Sequence, residues 1–392
     1  MPKRLEDAMV WVIVMKKVAS LSIFLVVCLF GMGFFQIIGT TGNVLQLSAK
    51  LRNESIQTSY QDYGRYQTLL TEAYQRALFY EEEIQKKNLS MGMVVNHDDH
   101  YNRILAECDS LLFSSLRYVA LKKMGLHGEA NDAWQAILKA NDHGKWHRHP
   151  KCKRRWTSRD MIVGLLAALS QRPEDSRLYL QDLMSYVDKT GGYIGSGPFY
   201  VSKLSPGLAE IIRHLARREG IADSALPPDI KYGFSTIEFD TFTAGRGYTS
   251  HLNALVIWLE MELRAKKSLN KVRSVTELLD QLLNPFKSHS IEDQRLMWVS
   301  HKLVDLDERN LFFRWLQLRS AGALTEKSKA QMLEELLSMD QFPADRLPQN
   351  CDRKADYLWQ RDSIEYTPHS GECTETFSGV DFLWMVSLLT PE

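Results

Sequence analysis

The chain carries no excess of either charge. Its 392 residues hold 48 Lys and Arg against 48 Asp and Glu, so nothing global points to nucleic acid as a partner. It has no strict internal repeat, which argues against a solenoid of near-identical units. The stretch GGYIGSG from Gly191 lacks the Lys-Ser/Thr ending of a phosphate loop, so nucleotide binding is excluded. His143, His147, His149 and Cys152 form H-x3-H-x-H-x2-C, a spacing that matches no standard zinc site, and His97 and His100 only flank two Asp. Neither a metal nor a cofactor is expected. Global disorder is excluded as well, because 44% hydrophobic and 10% aromatic content is ample for a large core.

One long run lacks charge altogether. Residues 18–39 (VASLSIFLVVCLFGMGFFQIIG) are long enough to cross a bilayer as a helix, and Lys3, Arg4, Lys16 and Lys17 precede them. The expected order is a cytoplasmic segment over 1–17, a transmembrane anchor over 18–39, a juxtamembrane helix over 40–59 and a periplasmic domain over 60–392. The alternative is a cleaved signal peptide, particularly if Met15 is the true start. No A-x-A-like site follows, however, and Val27 before Cys28 departs from a lipoprotein box. The expected location is a bacterial inner membrane, single-pass, with the C-terminal domain in the periplasm. In that oxidising compartment Cys108–Cys152 and Cys351–Cys373 are the expected disulfides, each closing a modest loop, with four buried thiols as the alternative.

Beyond the anchor, Val44 to Lys87 has no Pro and reads as one or two long helices, followed by a polar break over Asn96–Asn102. Helices of two kinds then alternate. Small, apolar ones, of the composition of buried helices, start near Asp109, Asp160, Ser205, Thr249, Arg309 and Ser378. Charged, amphipathic ones cover Glu129–Ala140, Glu174–Asp188, Val272–Leu283 and Thr325–Met339. Caps recur, as in Ser274-Val-Thr-Glu277 and at Pro173. The connections 142–157, 191–204 and 227–248 are long and rich in aromatic and charged residues, and the last suggests a small β-hairpin. The expected fold class is all-α.

Asp109 and Asp160 each stand at the mouth of an apolar helix, 51 positions apart, a separation that suits one helical hairpin. Six apolar helices with charged partners, two of them Asp-led, resemble the six-hairpin, or (α/α)6-toroid, superfamily of carbohydrate-active enzymes over about residues 60–392. The style is nearest to the unsaturated glucuronyl hydrolases. The resemblance implies a glycoside hydrolase or polysaccharide lyase acting on an acidic polysaccharide or oligosaccharide. Asp160 would be the general acid/base and Asp109 its partner. The competing expectation is a non-catalytic toroid that binds envelope glycan or an envelope protein, with both Asp simply capping their helices.

Other residues fall into place around that pair. Arg159 suits a carboxylate clamp, within a basic run of eight Lys/Arg against one acid over 139–159. His147 and His149 are candidate donors or bases. Trp146, Trp156, Tyr193, Phe199, Tyr200 and Tyr248 are candidate sugar platforms, with loop packing as the alternative. His251 and Asp381 open the fourth and last apolar helices; His251 would join the Asp pair as a catalytic residue and Asp381 would bind substrate, with buried capping as the alternative.

Overall fold

The computed structural model describes residues 60–98, 103–105, 107–152, 157–196, 201–222, 226, 248–269, 291–339, 375–376 and 378–391. All lie in the compact unit Glu54–Glu392. The expected anchor (18–39) and juxtamembrane helix (40–59), the charged helix at 272–283, the hairpin suggested within 227–248 and the Cys351–Cys373 pair lie outside the described residues. Among the described residues no helix is long and apolar enough to cross a membrane.

The described chain is mostly helical. In order come α1 (Tyr60–Lys87), α2 (Ser110–Lys123), α3 (His127–Leu138), α4 (Arg159–Ser170), α5 (Pro173–Lys189) and α6 (Pro206–Arg218). They are followed by α7 (Tyr248–Leu269), α8 (Ile291–Leu306), α9 (Leu311–Ser320), α10 (Glu326–Met339) and α11 (Val380–Leu389). Local chemistry explains the boundaries. The Asn310 side chain accepts the Phe312 and Phe313 amides at 3.1 and 3.2 Å and so opens α9, two residues later than the Arg309 start expected. Pro173 at the first position, followed by Glu174 and Asp175, opens α5. α4 and α11 are apolar nearly all round and are buried along almost their whole length. α8 was not expected: its sequence, IEDQRLMWVSHKLVDL, mixes charge and apolar residues without a strong periodic face.

The described residues are consistent with the expected all-α class, with a few short strands added. Short antiparallel ladders occupy several of the connections that lead into the apolar helices. β1 (Leu89–Ser90) pairs with β2 (Met93–Val94), and β3 (Asn96–Asp98) lies between β4 (Arg103–Leu105) and β9 (Glu375–Thr376). β5 (Asn141–Asp142) pairs with β6 (Lys145–Trp146), and β7 (Tyr193–Ser196) with β8 (Val201–Lys203). These segments are too short for a periodic signal, so their pairing is a product of the helix ends they join.

Side-chain contacts establish the direction of the buried helices. Arg148 joins the starts of α2 and α4, while Lys122 near the end of α2 donates to the Gln171 carbonyl at the end of α4. Arg159 at the start of α4 donates to the Lys203 carbonyl just before α6, and Arg218 at the end of α6 donates to Ser170 O at 2.8 Å. His251 in α7 stacks on Phe313 in α9, both near their helix starts, with ring centroids 5.0 Å apart. Phe312 and Trp315 of α9 meet Trp384 and the Leu388 carbonyl of α11 in the same order along both chains. α1 runs against both neighbours: Tyr66 reaches Leu389 O and Tyr80 stacks on Phe382, while Tyr74 reaches Met124 O and Glu81 pairs with Arg117. Hence α2, α4, α6, α7, α9 and α11 run parallel, and their N-terminal ends share one side. α2, α4, α7, α9 and α11 form a closed cycle of neighbours, and α6 packs against α4, α5 and α7.

The tightest seam in the cycle is α2 on α4. A Cβ at Gly164 would lie 2.8 Å from the Leu112 Cα and 3.1 Å from its carbonyl oxygen, so only glycine lets the two backbones approach this closely. At the entry to α11, Gly379 combines φ +73° with the ring of Tyr80 where a Cβ would be, a position closed to any other residue. Gly164→Ala is expected to destabilise the protein by about 2 kcal/mol through overpacking, read as a lower denaturant midpoint. An unchanged midpoint would mean that the seam can open without cost.

α6 and α7 are joined by an ionic network. The His214 Nε2 lies 3.0 Å from Glu210, its Nδ1 lies 2.8 Å from the buried Glu260, and Arg264 donates to Glu260 at 2.8 Å. Hydrogen bonds to Glu210 and Glu260, opposed by burial, push the His214 imidazole up to about 9. Burial raises the Glu260 carboxyl, but His214 and Arg264 outweigh it and hold the group below its ordinary range. The sign follows from linkage. A raised imidazole contributes fully below about pH 6.5 and loses its contribution as pH climbs through about 9, whereas the depressed carboxylates lose theirs in acid. His214→Gln should therefore cost about 2 kcal/mol near pH 6, with the deficit vanishing above pH 9 in denaturant titrations at several pH values. A deficit independent of pH would show that packing, not charge, joins the two helices.

Candidate functional site

The shared N-terminal side of the parallel helices gathers most of the polar residues expected to act, in unequal roles. At the start of α2, Cys108 is joined to Cys152 by a disulfide, as expected, closing a loop with a sequence separation of 44. The turn within the basic run is held by His149. Its Nδ1 accepts the Lys151 amide at 3.2 Å, so its Nε2 carries the proton and donates to Ser90 O at 3.1 Å. With both ring nitrogens used and the ring fully buried, His149 is a structural staple rather than a donor or base. His147 is also buried, with its Nε2 3.7 Å from Asp142.

Arg148, between these two histidines, is the hub of the side. Its Nη1 donates to Asp109 and, at 3.2 Å, to the Cys108 carbonyl, while its Nη2 donates to Ser158 Oγ at 2.6 Å. Its own carbonyl accepts the Leu111 amide. One guanidinium therefore fixes the spacing of the α2 and α4 starts. Sequence reading placed Arg148 in the basic run without singling it out, because nothing local marks it off from its charged neighbours.

The two paired aspartates part company here. Asp109 makes no cap hydrogen bond, and its side chain is 54% exposed and ion-paired with Arg148. Asp160, in the first turn of α4, is only 6% exposed. The cap position before it, Ser158, makes no cap bond either, since its hydroxyl is taken by Arg148. No hydrogen bond or ion pair joins the Asp160 carboxylate to another described residue. The expectation that each Asp caps its own helix is thus not met at either position.

Several assigned binders sit elsewhere. Arg159, expected as a carboxylate clamp, spends its Nε on Lys203 O at 3.1 Å and so holds β8 against the start of α4. Trp146, expected as a sugar platform, is fully buried edge-on to Tyr179 with centroids 6.0 Å apart, so neither of its faces is available. It is loop packing, because an indole beneath a hairpin removes more apolar area from water than one exposed to a ligand. Tyr193 is half-buried with Lys203 Nζ 5.3 Å from its ring centroid. Tyr248 is the first residue of α7, while Trp156, Phe199 and Tyr200 lie outside the described residues. Among the described residues no three His, Cys, Asp or Glu side chains are placed to hold a metal ion.

His251 and Asp381 are both buried, at 3% and 5% exposure. The Asp381 Oδ1 accepts the Phe382 amide at 2.9 Å, and His251 lies against Phe313. Farther along the same helices, Trp258 of α7 and Trp384 of α11 meet edge to face, centroids 4.8 Å apart, with Phe312 against the Trp384 indole. Neither tryptophan was singled out from the sequence, where each is one aromatic in an apolar helix. The double variant Cys108→Ser, Cys152→Ser should lose roughly 2–4 kcal/mol by loop entropy, measured by thermal or denaturant unfolding. A negligible loss would mean that Arg148 and His149 hold the turn without the disulfide. No protein-family model matches the chain, and no curated protein does so either.

Proposed function

We propose that the chain is a membrane-anchored periplasmic (α/α)6 toroid that acts on an acidic glycan, as a glycoside hydrolase or polysaccharide lyase. The observation that carries this reading is Asp160. A buried carboxyl that no cap bond or counter-ion among the described residues engages is available to give or take a proton, the task that glycosidic bond cleavage demands. Six parallel helices that begin on one side, five of them in a closed cycle of neighbours and α1 antiparallel to α2 and α11, support the toroid. The uncharged residues 18–39 behind four Lys/Arg support the anchor. The basic run 139–159, which leads into α4, supports an acidic ligand.

Asp160 is the proton donor in this reading, and Asp109 with Arg148 forms a charged pair at its rim. That ion pair also favours a second reading, a toroid that binds an acidic glycan without cleaving it, because Arg148 neutralises the carboxylate that would complete an acid pair.

The test uses the full-length protein in detergent with uronate-containing oligosaccharides. New reducing ends report hydrolysis, and the ultraviolet absorbance of an unsaturated uronate reports elimination. Asp160→Asn should lower turnover by roughly 10²–10⁴-fold while leaving binding in place. Saturable binding without turnover by the unmodified protein selects the second reading. Neither binding nor turnover would sink both.

A further inference from the structure

The β7–β8 hairpin is seated on the start of α4 by two backbone contacts. At one, a Cβ added to Gly195 would lie 2.6 Å from the Thr157 amide nitrogen and 2.6 Å from its carbonyl oxygen, so the strand rests directly on the residue before Ser158. At the other, the Arg159 Nε donates to the Lys203 carbonyl at 3.1 Å. Tyr193 pairs with Lys203 across the hairpin, and the Lys203 Nζ stands 5.3 Å from the Tyr193 ring centroid. Arg159, Lys203 and Tyr193 are thereby brought to one place, the first two exposed and the third half-buried. The way the two cations are held sets them apart. Several other described arginines are fixed by carboxylates: Arg117 by Glu81, Arg148 by Asp109, Arg264 by Glu260 and Arg314 by Glu335. Arg159 is fixed by a carbonyl and Lys203 by an aromatic face, and no carboxylate among the described residues pairs with either. Neutral anchors of this kind give a cation its position without cancelling its charge, so the local field still favours an anion. Nor does the carbonyl bond exhaust Arg159. It engages Nε and leaves the Nη1–Nη2 edge of the guanidinium, a planar fork that matches the two oxygens of a carboxylate.

We propose that Arg159 and Lys203 form an anion subsite for a carboxylate at the entry to α4. Arg159 grips the carboxylate at two points through its Nη groups, and Lys203 adds a second positive charge that Tyr193 holds in place. The subsite itself rests on the seating of the hairpin; that its occupant is the uronate of an acidic glycan rests on the reading proposed above. Arg159 and Asp160 are successive residues in the first turn of α4, so a uronate held here is brought to the same helix start that carries the proton donor of that reading.

The subsite is tested by calorimetry on the full-length protein in detergent, with tetragalacturonate, a hyaluronan tetrasaccharide, methyl-esterified tetragalacturonate and inorganic phosphate as probes. Lys203→Gln removes a charge but leaves the Lys203 carbonyl, and with it the Arg159 bond, in place. It should weaken the uronic tetrasaccharide that binds by about tenfold, at an unchanged melting temperature. Arg159→Lys keeps the charge without the planar fork and should also cost about tenfold. The methyl ester, which has lost its carboxylates, should bind the unmodified protein and both variants with the same low affinity. A uronic tetrasaccharide that binds the unmodified protein, Lys203→Gln and Arg159→Lys equally well overturns the subsite and leaves the acidic-glycan reading standing. Phosphate bound by the unmodified protein and weakened in both variants, with neither tetrasaccharide bound, upholds the subsite and defeats the acidic-glycan reading instead. If the unmodified protein binds none of these anions, the subsite is overturned together with that reading.

Discussion

The approach of α4 to α2 at Gly164 is the constraint from which the polar side of the molecule follows. With no side chain at that position, the backbone of α4 lies on Leu112, and the two helix starts come within reach of a single arginine. Arg148 can then hold Asp109, the Cys108 carbonyl and Ser158 together. Farther apart, the same guanidinium would serve one helix only, and the turn stapled by His149 and the disulfide would have nothing to brace. The separation of roles between Asp109 and Asp160 also starts here, since Arg148 takes Asp109 directly and takes the hydroxyl that would otherwise cap the helix of Asp160.

Buried charge in the described core is matched with care. Glu81 and Arg117 form a two-point pair between α1 and α2, both nearly inaccessible, and Glu260 is met by His214 and Arg264 between α6 and α7. Removing one partner from such pairs leaves an uncompensated charge, which makes them effective at specifying which helix lies beside which. Asp160 stands out against this background as a buried acid without a described counter-ion. That contrast, more than its place at a helix start, is what makes it chemically notable.

Part of the site was legible from residue type and spacing. Asp-led apolar helices, a basic connection before α4 and a Cys108–Cys152 loop all rest on local features that the chain carries wherever it folds. The fates of Trp146, Arg159 and His149 were not legible. An indole can face a sugar or a core, and the side of the β5–β6 hairpin on which Trp146 falls depends on where α5 packs. An arginine beside an aspartate can clamp a ligand or a carbonyl, and Lys203 O is 44 positions away. The contact of Trp258 with Trp384 was invisible for the same reason, as it needs α7 and α11 to meet although the two residues are far apart in the chain.

By itself the amino-acid sequence determined most of the described helical segments and where they begin, α8 excepted, because helix periodicity, apolar content and caps act over a few residues. It also determined that 18–39 is an uncharged run behind basic residues. Only the tertiary structure decided that α2, α4, α6, α7, α9 and α11 run parallel with their starts on one side, that Asp109 meets Arg148 while Asp160 has no counter-ion among the described residues, and that Trp258 and Trp384 meet. Those outcomes depend on close approach between residues distant in sequence, and the energies that select them, from backbone contact at Gly164 to ion pairing at Arg148, exist only once the helices have met.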